Sequence, residues 1–89
     1  MIVRVAEVGR PAFQLRKGEQ GLSVFDLGRV DPPVTDAEVL ATFRSGSQTL
    51  LLAAAEIEAR GLRIVPVLGD EVLPQRLRQA HCEVRPGRT

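Results

Sequence analysis

Hydrophobic and polar residues alternate at the start of the chain. In MIVRVAEV, Ile2, Arg4, Ala6 and Val8 share one parity and Val3, Val5 and Glu7 the other. A period of two predicts a strand. GRP at 9–11 breaks it, and AFQLR (12–16) predicts a second strand. KGEQG reads as a turn and LSVF (22–25) as a third strand, so the pair predicts a hairpin. DLGRVDPPV (26–34) is a loop, because its prolines cannot continue a regular element. TDAEVLATF then predicts a helix: Thr35 followed by Glu38 fits a capping box, and Val39, Leu40 and Phe43 supply an apolar stripe.

The spacing of Leu50, Leu51, Ala54 and Ile57 in QTLLLAAAEIEARG predicts one helix over 48–61, stopped by Gly61; the alternative reading makes TLLL a strand. LRIVPVL (62–68) is a strand in which Pro66 marks an edge or a bulge. PQRLRQA is a short helix with Pro74 at its start and Leu73, Leu77 and Ala80 buried. HCEVRP (81–86) predicts a last strand, stopped by Pro86 and Gly87. Strands outnumber helices and a hairpin is present. The expected class is α+β: one domain over 1–89, with a small mixed or antiparallel-rich sheet and three short helices.

Composition narrows the function classes. Aromatic residues are limited to Phe13, Phe25 and Phe43, so the core is aliphatic. One cysteine permits no internal disulfide and, with one histidine, no cysteine-rich zinc site. The N-terminus lacks the apolar core of a signal peptide, and the run Leu50–Ala55 is too short to span a bilayer. A cytoplasmic protein is expected, or a toxin exported without a cleaved signal. Residues 1–17 carry Arg4, Arg10, Arg16 and Lys17 against Glu7, and residues 72–89 carry Arg76, Arg78, Arg85 and Arg88 against Glu83. Brought together, these ends form a positive surface suited to phosphate or to an acidic partner. Nucleic acid ranks last among the partners, because the chain offers few aromatic stacking platforms.

Two stretches carry candidate chemistry. In a strand over 81–86, His81, Glu83 and Arg85 share one face while Cys82 and Val84 face the core. A solvent-exposed edge strand shows the same pattern. Cys82 points away from His81, which argues against a Cys–His nucleophilic pair. In KGEQGLSVFD (17–26), Ser23 opposes Leu22 and Val24 in the alternation. There is no GxSxG context for a hydrolase, and GEQG lacks the lysine and following helix of a phosphate loop.

GLSVFD (21–26), VPVLGDEVLP (65–74) and RLRQAHCEVRP (76–86) occur in the same order as similar motifs in a family of small bacterial toxins. The chain resembles these type VI secretion effectors, which have an ADP-ribosyltransferase-like fold, over about residues 13–87. The resemblance implies a cleft that binds NAD as a substrate, with Ser23 on the nicotinamide side and His81 across from it. It also implies an early arginine holding phosphate or ribose, either Arg16 or Arg4, and a carboxylate, Glu83, beside the ribose. An immunity protein or antitoxin would be the partner. Two departures stand out. The family's Thr before the Ser is Leu22 here, and the family has a C-terminal helix where this sequence reads RPGRT. The alternative reading is a non-catalytic interaction module that keeps the fold without the chemistry.

Overall fold

The computed structural model describes residues 1–7, 21–43 and 47–87. Five strands build one sheet: β1 (Ile2–Glu7), β2 (Leu22–Asp26), β3 (Ser47–Leu52), β4 (Leu62–Pro66) and β5 (His81–Pro86). Their order is β3-β1-β2-β5-β4, and every pairing is antiparallel. Three short helices accompany them: α1 (Asp36–Thr42), α2 (Ala54–Ala59) and α3 (Gln75–Ala80). The expected α+β class holds in this form. The strand expected over 12–16 and its hairpin turn lie outside the described residues.

Alternation in the strands sorts the apolar side chains onto two faces. Ile2, Leu22, Val24, Cys82 and Val84 are buried on one face with Ile57 of α2. Val3 and Phe25 are buried on the other with Val34, Val39 of α1, and Leu77 and Ala80 of α3. Nearly all the fully buried side chains are aliphatic, as the scarcity of aromatics requires.

Residues 48–61 do not form one helix. Ser47–Leu52 is β3, paired with β1 from Ile2↔Leu52 to Glu7↔Ser47. The helix begins after Ala53, whose carbonyl accepts from Glu56 at 3.0 Å and from Ile57 at 3.4 Å. The cause is local. A continuous apolar run satisfies helical and strand periodicity alike, and β1 offers an unpaired edge that six residues can match. Gly61 does terminate α2, in the left-handed region at φ 77°.

The last strand is also not at an edge: β5 is paired by β2 on one side and β4 on the other. The edge is β4, where Pro66 can sit opposite Cys82 without depriving an outer neighbour of a donor. The stripe on α1 is narrower than expected. Val39 is buried, but Leu40 and Phe43 are exposed, although the Phe43 ring still meets Phe25 edge-on at 6.2 Å between centroids.

The capping box at Thr35 forms. Its hydroxyl accepts from the Glu38 amide at 3.1 Å, and its own amide donates to Glu38 Oε2 at 3.4 Å. Arg76 then ties α3 to this cap, its Nε 3.0 Å from Glu38 Oε1 and its Nη2 2.8 Å from the Pro32 carbonyl. Hydrogen bonding to Arg76 holds the Glu38 carboxyl below its ordinary value of 4.5. A depressed carboxyl stabilises the fold above its unfolded pKa and loses that contribution as pH falls through the folded pKa. Arg76→Ala is therefore expected to be less stable than wild type at neutral pH. Denaturant titrations should show that difference shrinking once the pH drops well below 4.5.

Candidate functional site

The register between β2 and β5 decides which side chains meet. Ser23 lies directly opposite Glu83, and Phe25 opposite His81. Residues paired across strands share a face. Ser23, His81, Glu83 and Arg85 therefore line one strip, on the side that also carries α1 and α3. Phe25 marks its apolar boundary. Ser23 is exposed, and the other three are half-buried.

Each polar group on the strip has a defined state. His81 Nδ1 lies 2.7 Å from the Val67 carbonyl oxygen. A carbonyl only accepts, so Nδ1 carries the proton, and in the neutral ring Nε2 keeps its lone pair. The imidazole also stands edge-on to Phe25, with centroids 5.6 Å apart. Glu83 Oε1 accepts from Arg85 Nε at 2.9 Å and from Nη2 at 2.7 Å, while Oε2 takes no hydrogen bond among the described residues. Gly21 lies beneath this pair. A β-carbon there would stand 2.9 Å from Arg85 Cγ and 3.0 Å from the Val84 carbonyl oxygen, so glycine leaves the room that the arginine stem and β5 backbone occupy.

Arg4 of β1 meets Ser23 from the opposite face of the sheet. The β1–β2 pairing covers Ile2↔Asp26 and Val3↔Phe25. Beyond it, Arg4 Nη1 donates to the Ser23 carbonyl at 3.0 Å. By alternation Arg4 leaves β1 on the side of Ile2, so it meets the main chain of Ser23 and not its hydroxyl. Arg16 lies outside the described residues.

Leu22 is buried on the α2 face, opposite in parity to Ser23. A residue at that position does not stand beside Ser23, so the departure from Thr takes no hydroxyl away from Ser23's strip. Cys82 is also on the α2 face, with 1% of its surface exposed. Burial, followed by the charge of Asp26, pushes its thiol above the ordinary value of 9.0. A buried, protonated thiol is a poor nucleophile. Native protein is expected to leave Cys82 unmodified by iodoacetamide under conditions that alkylate it fully in denaturant, with mass spectrometry as the readout.

Among the described residues, two clefts lie beside or beyond the strip. One is apolar, about 160 Å³, between α2 and the sheet. The other is a shallow polar depression among Arg29, Val30, Asp31, Arg76 and Gln79. Among the described residues no three His, Cys, Asp or Glu side chains cluster as metal ligands, and no helix is long and apolar enough to cross a membrane. Sequence reasoning missed the Arg76 strap and the Arg85–Glu83 pairing. The second had a signal, since opposite charges two apart in a strand share a face. The first joins residues 38 apart and had none. Comparison with protein-family models, curated proteins and solved structures yields no match.

Proposed function

We propose that the protein is a small toxin-like, NAD-binding protein related to the ADP-ribosyltransferase-like effectors, with its site on the strip of Ser23, His81 and Glu83. The observation that carries this reading is the register of β2 against β5, which sets Ser23 opposite Glu83 with His81 two residues away. The donor set suits the ligand. It comprises an exposed hydroxyl, a carboxylate whose Oε2 takes no hydrogen bond among the described residues, and an imidazole of fixed tautomer. NAD supplies a glycosidic bond whose cleavage releases nicotinamide and passes ADP-ribose to an acceptor that gives up a proton. Glu83 places negative charge beside the ribose, where positive charge develops. Ser23 and His81 fix the orientation of the sugar and nicotinamide side. A toxin of this kind requires an immunity protein or antitoxin to protect its host.

The test is bacterial growth on induced expression of wild type, Ser23→Ala and His81→Ala, with soluble protein and melting temperature checked for each. Arrest by wild type, relieved in both folded variants, is the expected result. Arrest by all three removes these residues from the site.

One observation favours the non-catalytic module instead: both Arg85 bonds fall on Glu83, which holds the carboxylate as half of an ion pair. Under that reading no NAD turnover occurs, and the same strip docks a protein.

A further inference from the structure

We propose that the cleft between α2 and the sheet is a second site, and that it binds a small amphipathic carboxylate. The helix α2 has six residues and buries only Ile57. It is too short to cover its face of the sheet, and the uncovered part is floored by Leu22, Leu52, Leu62, Val84 and Pro86. The resulting space is about 160 Å³ and opens to solvent. An apolar cavity of roughly 150 Å³ in another protein holds a benzene ring. The space thus takes an aromatic ring or a short alkyl chain, and the opening lets it enter without unfolding.

The charges around the cleft select the head group. Its charged lining residues are Glu56, Arg60 and Arg85. Arg85 is already committed to Glu83. Arg60 caps the C-terminal end of α2, is exposed, and makes no ion pair among the described residues, not even with Glu56 one turn earlier. Among the described residues its guanidinium is the available cation at the mouth, with the Glu56 carboxylate one turn back along α2. A ligand with its tail on the aliphatic floor and its carboxylate at Arg60 satisfies both. The aliphatic floor of this site is on the opposite face of the sheet from Ser23 and Glu83, with Arg85 bordering both, and the proposal does not rest on the NAD reading.

The experiment titrates octanoate, octanol and octylamine into isotope-labelled protein and follows methyl shifts by NMR. Octanoate is expected to move Leu22, Leu52, Ile57 and Val84 in a saturable way and to bind about fivefold more tightly than octanol, the preference an exposed charge contact supplies. Arg60→Glu should erase that preference and leave octanol binding as it was. Leu62→Phe, which narrows the cleft, should weaken both ligands. Absence of saturable shifts, a preference for octylamine, or an octanoate preference that survives in folded Arg60→Glu overturns the proposal.

Discussion

If the strip is the proposed NAD site, Glu83→Gln is expected to lower nicotinamide release from NAD by about 100-fold or more while leaving the protein folded. The rate effect is the usual cost of removing one preorganised electrostatic group from a site where charge develops. The fold survives because glutamine keeps the shape and its oxygen still accepts from Arg85. The lost ion pair matters little for stability. Its side chains are 23% and 28% exposed, a setting in which such pairs contribute up to about 1 kcal/mol. The checks are a time course of nicotinamide release and a thermal melt on the same preparations. Unchanged turnover in the variant would mean that Glu83 serves only to hold Arg85.

Leu77→Ala is expected to cost about 2–5 kcal/mol of stability. Leu77 projects from α3 with 1% of its surface exposed. It belongs to the cluster of Val3, Phe25, Val34, Val39 and Ala80, which holds α1 and α3 onto the sheet. A domain of this size has a stability of roughly 5–15 kcal/mol, so the variant forfeits a large share of it. At about 4–8 °C per kcal/mol, the midpoint should fall by roughly 10 °C or more. Leu51, half exposed on β3, is the contrasting case, and its alanine variant should lose less than about 1 kcal/mol. Denaturant melts compare the two. Equal losses would contradict the burial pattern on which the two-faced sheet rests.

What the sequence showed follows from the range of the interactions concerned. The capping box at Thr35 and Glu38 uses residues three apart, so the start of α1 was legible. Period-two alternation puts His81 and Cys82 on opposite faces, and Cys82 is indeed buried while His81 faces the other way. The segment around Leu50–Leu52 was ambiguous, because an unbroken apolar run carries no period. Its pairing with β1 is settled by residues about 45 positions away in the chain. The same limit governs the site. Ser23 and Glu83 could each be singled out, but their opposition depends on the β2–β5 register. The contact of Arg4 with the Ser23 carbonyl depends on where the β1–β2 pairing stops. An interior place for β5 could not be read either, since strand order is a property of the whole sheet.

The most direct test of the account is an NAD titration of the wild-type protein followed by backbone amide shifts. Saturable shifts at Ser23, His81 and Glu83, with Ile57 and Leu62 on the far face unmoved, are the predicted result. No saturable shift, or shifts confined to the α2 face, would contradict an NAD site on the β2–β5 strip.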